Sequence, residues 1–170
     1  MTTELTPTAT TSYLIHALPP DVLASARAWD ATDAANLSDD AKRMVASGGE
    51  PLRCCLRDAV AGERCLLFSY RPPLPASSPY QETGPVFAHA DAEDCPGAPE
   101  PSSGYPAEWR GRPQVLRAYD GRGFIHPATR LHDGTDPEAV IAEIFADSDV
   151  VLVHSRNIAY GCYMFAISDE

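Results

Sequence analysis

The chain has 170 residues and carries 24 acidic against 13 basic side chains, a net charge of −11. That length is one domain's worth, and such a chain can bury about 70% of its unfolded surface with no disulfide or metal staple. The negative charge disfavours a phosphate backbone as partner, and a hydrophobic content of 44% excludes wholesale disorder.

Residues 1–12 lack a basic start and an apolar run, so they read as a flexible tail and not as a secretory signal. Residues 13–18 look like a short strand. Pro19-Pro20 then opens a helix, with Val22, Leu23, Ala26 and Trp29 at helical spacing. Residues 32–40 are polar and loop-like, and the Gly-Pro-rich stretch 47–51 is a break. Residues 52–57 and 64–70 read as two strands joined as a hairpin. Residues 72–79 are a proline-rich surface loop, and 86–90 is another strand. Residues 91–112 are long, acidic and rich in Pro and Gly, which suits a lid, a binding loop or a mobile segment. Residues 114–119 and 123–131 read as strands around an Asp120-Gly121 turn. Asp136-Pro137 starts a helix, with Asp as N-cap and Pro at the first position. Residues 150–157 and 161–168 close the chain as a hairpin. The expected fold is α+β: a single domain over 13–170, a mostly antiparallel sheet with two helices on one face.

Nothing approaches the roughly 20 apolar residues needed to span a bilayer. The five cysteines, an odd count with no signal, suit free thiols in a reducing cytosol. The common nucleotide cradles, the Ser elbow and the His-Glu zinc helix are all absent, and no cofactor is expected. If Cys54 and Cys55 lie on a strand they point to opposite faces and share neither a metal nor a disulfide. His89, Asp91, Cys95, His126 and His154 could in principle ligate a metal, but without fixed spacing the expectation is none.

Two constellations carry chemistry. On a strand, Phe87, His89 and Asp91 share a face, so Asp91 can orient His89 as a general base; Tyr80 and Glu82 stand just upstream. In the last hairpin Val150, Leu152, His154 and Arg156 share a face that runs from an apolar core into a cationic end. Arg156 and Asn157 there can hold an anionic group.

The run Arg53-Cys-Cys-Leu-Arg-Asp-Ala59, Gly62-Glu63-Arg64 and Leu66-Leu-Phe-Ser-Tyr70 resembles a family of small bacterial proteins. Ser78-Pro79-Tyr80, Glu82-Thr-Gly-Pro85, Phe87-Ala-His-Ala-Asp91, Leu116-Arg-Ala-Tyr119 and Gly161-Cys162 add to the likeness. The family is the domain of unknown function 1203. The resemblance covers residues 13–167, implies a small cytosolic bacterial protein, and brings no reaction with it. Leu52 stands where the resemblance leads one to expect a cysteine.

The functional expectation is cofactor-independent acid/base chemistry on a small polar or anionic metabolite: cyclisation, isomerisation, elimination or hydrolysis. His89, Asp91 and His154 are its catalytic candidates, and Tyr80, Glu82, Arg156 and Asn157 its binding candidates. The rival expectation is a non-catalytic module that binds a ligand or a protein through the same cleft. Neither nucleic acid nor membrane is expected as a partner, and the oligomeric state is left open, with a homodimer as the named possibility.

Overall fold

The computed structural model describes residues 13–28 and 41–170. The expected tail at 1–12, Trp29 and the expected loop at 32–40 lie outside the described residues. The fold is α+β, with two α-helices and two mostly antiparallel five-stranded sheets among the described residues.

The first sheet has the order β1-β10-β9-β7-β8, where β1 is Tyr13–His16, β7 Gln114–Asp120, β8 Arg130–His132, β9 Val150–Asn157 and β10 Tyr163–Asp169. The second has the order β2-β5-β6-β3-β4: β2 Ala41–Val45, β3 Pro51–Leu52, β4 Arg57–Asp58, β5 Arg64–Tyr70 and β6 Gly84–His89. Leu66, Val86 and Ala88 of the second sheet share one core with Leu152, Tyr163 and Ala166 of the first. The opposite face of the first sheet packs Leu116, Val153, Phe165 and Ile167 against Ile141 and Ile144.

Those last two residues belong to α2, Pro137–Phe145, whose N-cap is Asp136; its side chain accepts from the Ala139 N–H at 3.1 Å. An oxygen there satisfies an N–H that has no partner within the helix, so the Asp-Pro signal places the helix correctly. The other helix, α1, is Pro20–Ala28 and puts Leu23 into the core between the sheets. The helices therefore serve different cores and do not share one face. No described helix is long and apolar enough to cross a membrane.

The closing hairpin forms as expected: β9 and β10 pair antiparallel through a turn in which Asn157 Oδ1 accepts from the N–H groups of Ala159 and Tyr160 at 2.9 and 3.1 Å. A bulge between Tyr163 and Phe165 breaks the alternation of β10. Met164 and Ala166, two positions apart, consequently enter different cores.

Residues 52–57 are not a strand. Only Leu52 and Arg57 pair, and the chain between them turns back on itself: the Leu56 N–H reaches the Leu52 carbonyl at 2.9 Å, with Leu56 at φ 57°. The expected hairpin with β5 is accordingly absent. β5 lies between β2 and β6, and β3 pairs with β6 in parallel. The 91–112 stretch is a packed strap, because Tyr105 and Trp109 are buried in the core beside Phe165. Trp109 also donates its indole N–H to Asp58 Oδ1 at 2.8 Å.

Candidate functional site

The turn at 53–56 is tied down from two sides. The Arg53 N–H donates to the Phe87 carbonyl on β6 at 2.8 Å, and the Arg53 carbonyl accepts from the Leu18 N–H at 3.0 Å. The buried Arg53 guanidinium reaches the carbonyls of Pro51 and Tyr163 at 2.6 and 2.9 Å. Burial lowers its pKa to about 10, which leaves it charged at neutral pH. Because the turn is tight, Cys54 and Cys55 do not point to opposite sides. Both thiols face the His89 ring at the end of β6: Nδ1 lies 3.4 Å from Cys54 Sγ and 3.7 Å from Cys55 Sγ. The two sulfurs are 3.9 Å apart, and the His89 backbone N–H points at Cys54 Sγ from 3.3 Å.

Cys95 completes the group. It follows the single helical turn Ala92–Asp94, and the donor atoms of Cys54, Cys55, His89 and Cys95 all lie within 4.8 Å of one another. Ion pairs hold this loop to the sheet: Asp91 with Arg43 and Arg64 at 3.3 and 3.1 Å, and Asp94 with Arg64 at 2.8 Å. All five cysteines are free thiols.

On the far side of the ring, His89 Nε2 lies 3.2 Å from Arg57 Nη2 and 3.5 Å from Glu63 Oε1. Arg57 grips Glu63 in a two-pronged pair at 2.7 and 3.0 Å, which holds the Glu63 carboxyl down at about 2 and pushes the Arg57 pKa up. Among the thiols, contact with the Cys55 sulfur lowers the Cys54 pKa, and the His89 N–H adds to this against the cost of burial. The same contact and burial push the Cys55 thiol up.

Cys54 and Cys95 also line a cleft of about 850 Å³ between β1, α1 and the segment after Cys95. Leu18, Leu23, Tyr70 and Tyr163 give it apolar walls. Volume and lining suit a small organic molecule.

The residues expected from sequence fall into separate places. His89 is at the centre of the cluster and fully buried. Its carboxylate neighbour is Glu63; Asp91 turns away to Arg43 and Arg64, because β6 ends at His89 and the strand alternation ends with it. His154 lies in the core between the Tyr119 and Tyr163 rings, and its Nε2 bonds the Pro73 carbonyl at 3.1 Å. Burial, with help from the Arg156 charge, lowers its pKa to about 3, so it stays neutral at physiological pH. No hydrogen bond among the described residues joins His154 to His89. Glu82 and Arg156 do meet, as an ion pair that Arg117 joins at 3.4 Å. The Arg156 cation is therefore already matched by a carboxylate of this chain. Asn157 caps its own turn, and Tyr80 packs edge-on against Phe124.

Sequence reasoning singled out His89, set Cys54 and Cys55 aside as pointing to opposite faces, and connected neither Arg57 nor Glu63 with the histidine. The signal was the Cys-Cys pair, and it lost its meaning once the segment was taken for a strand.

No curated protein and no solved structure matches the chain. The family described as protein of unknown function (DUF1203) matches residues 49–168, a span that contains the whole Cys54–Cys55–His89–Cys95 cluster. The chain belongs to that family.

Proposed function

We propose that the chain is a small-molecule enzyme whose reactive centre is Cys54 at the inner end of the cleft, with His89 as the group that positions the thiolate. The observation that carries this reading is the meeting of an apolar cleft of ligand size with the Cys54 sulfur, which the His89 ring and the His89 backbone N–H both contact. A thiolate, unlike a thiol, is a competent nucleophile and base. His89 is fully buried behind Cys54 and does not line the cleft, so it acts through the sulfur and not on substrate directly. The substrate is a small metabolite with an apolar body, matched to Leu18, Leu23 and Tyr70, that presents its polar group to Cys54. Isomerisation, elimination, cyclisation and hydrolysis all fit such a centre. The anionic substrate expected from Arg156 loses its support, since Glu82 neutralises that cation.

The test is alkylation of the chelator-treated chain by iodoacetamide between pH 5 and 9, read peptide by peptide by mass spectrometry. The reading expects Cys54 to react with a lower midpoint than Cys162, and cleft ligands from a thermal-shift screen of small metabolites to slow that reaction. Equal pH profiles at Cys54 and Cys162 would refute the activated thiol. Ligand protection without turnover of any ligand would favour the binding module over the enzyme.

A further inference from the structure

We infer that Cys54, Cys55, Cys95 and His89 together bind a thiophilic divalent metal ion of the zinc class. The inference rests on the same site as the reading above and changes its chemistry: the four protein ligands would close the ion's coordination, so Cys54 would act as a metal-held thiolate and not as a free one.

Geometry carries the argument. Tetrahedral zinc holds sulfur at about 2.3 Å and imidazole nitrogen at about 2.0–2.1 Å, which places neighbouring donor atoms roughly 3.6–3.8 Å apart. The three edges joining Cys54 Sγ, Cys55 Sγ and His89 Nδ1 measure 3.9, 3.4 and 3.7 Å. Cys95 supplies the fourth donor from a different segment, and all four lie within 4.8 Å. Three sulfurs and one imidazole are the donor set that thiophilic ions prefer. Apolar packing alone gives no reason to converge three thiols and an imidazole nitrogen from three segments on one point.

The surroundings supply a second, independent support. A ligating histidine nearly always donates its other ring N–H to a carboxylate or carbonyl, which fixes the tautomer. Here His89 Nε2 has Glu63 Oε1 at 3.5 Å, and Arg57 holds that carboxylate in place. The same ring nitrogen has Arg57 Nη2 at 3.2 Å. The two neighbours suit the two tautomers: with the proton on Nδ1, Nε2 accepts from Arg57, and with the proton on Nε2, it donates to Glu63. Metal binding selects the second, because Nδ1 must offer its lone pair. Charge is also provided for. Three thiolates and a divalent ion leave one negative charge, and Arg27, which no carboxylate pairs among the described residues, lines the same cleft as Cys54 and Cys95 and donates to the His89 carbonyl at 3.2 Å. Binding releases the thiol protons of the ligands to solvent.

The experiment uses the full chain and inorganic zinc and cobalt. Elemental analysis after zinc reconstitution and gel filtration should give about one ion per chain. The cobalt form should show the intense d–d bands and sulfur charge transfer of a tetrahedral thiolate site. Competition with a chromophoric chelator should find zinc bound roughly 10–100-fold more weakly in Glu63→Gln, more weakly still in Cys95→Ser, and unchanged in Cys162→Ser. Cys95 and Glu63 are half-buried, so both variants test the site even if His89→Ala fails to fold. Less than a tenth of an ion per chain, equal affinity in Cys95→Ser and wild type, or a cobalt spectrum without sulfur charge transfer would overturn the inference. Metal binding with no activated Cys54 and no cleft ligand would uphold the metal site while refuting the enzyme; the reverse result would do the opposite.

Discussion

His154 separates a structural histidine from a catalytic one, and its acid titration can be worked through in numbers. The ring is fully buried between Tyr119 and Tyr163, and only Nε2 has a partner, the Pro73 carbonyl. Nδ1 is buried without a hydrogen-bond partner among the described residues, so a proton there would create an orphan N–H beside the Arg156 charge. The folded pKa is accordingly lowered from 6.5 to about 3. Between those two values the unfolded chain binds a proton that the folded chain refuses. The stability His154 contributes is therefore intact above the unfolded value and is lost as pH falls from about 6.5 toward 3. At about 1.36 kcal/mol per unit, acidification to pH 4.5 costs roughly 2–3 kcal/mol through this one residue. His154→Gln keeps an N–H donor for Pro73 and removes the titration. Urea unfolding of both proteins at pH 7.5 and pH 4.5 gives the difference directly, because the carboxylates titrate alike in each. The variant should lose roughly 2–3 kcal/mol less on acidification. Acid losses that agree within about 0.5 kcal/mol would refute the buried neutral ring.

Other outcomes follow from packing and capping. Trp109→Ala should cost about 3–5 kcal/mol in chemical denaturation, since the indole is fully buried against Phe165; a loss under about 1 kcal/mol would show that the 91–112 strap is not part of the core. Asp136→Ala should cost about 1 kcal/mol by removing the oxygen that caps Ala139, and an unchanged melting temperature would contradict the cap. Glu82→Gln removes the half-exposed carboxylate that pairs with Arg156 and should destabilise the chain by only about 1 kcal/mol, because solvent screens the pair, read by urea titration; a loss above about 3 kcal/mol would show that the pair is desolvated.

Where the signals are local, the sequence is readable. Asp136-Pro137 marks a helix start because cap chemistry acts within one turn, and the β9–β10 hairpin is marked by two long apolar runs around a short polar turn. β2 escaped notice for the opposite reason. It is an edge strand, Ala-Lys-Arg-Met-Val, with no residue fully buried, so its faces carry no alternation to read. The turn at 53–56 misleads because cysteine is small and apolar enough to pass for a strand residue, while its left-handed Leu56 has no glycine to announce it. That one misreading hides the site, since only the turn brings Cys54 and Cys55 to the same side. The rest of the site depends on tertiary structure: Glu63 reaches His89 across the second sheet, and Cys95 is placed by the pull of Arg43 and Arg64 on Asp91 and Asp94. His89 was legible as an ionisable group on an apolar strand. The partner that orients it was not, because Asp91 is closer in sequence than Glu63 and farther in function.

The proposed metal centre draws its ligands from three segments, the 53–56 turn, the end of β6 and the Cys95 loop. X-ray absorption at the zinc edge of the reconstituted chain tests it most directly. The account predicts a first shell of three sulfurs at about 2.3 Å and one nitrogen at about 2.0–2.1 Å, with one sulfur replaced by a lighter donor in Cys95→Ser. A shell of nitrogen and oxygen alone, or a shell that Cys95→Ser leaves unchanged, would contradict it.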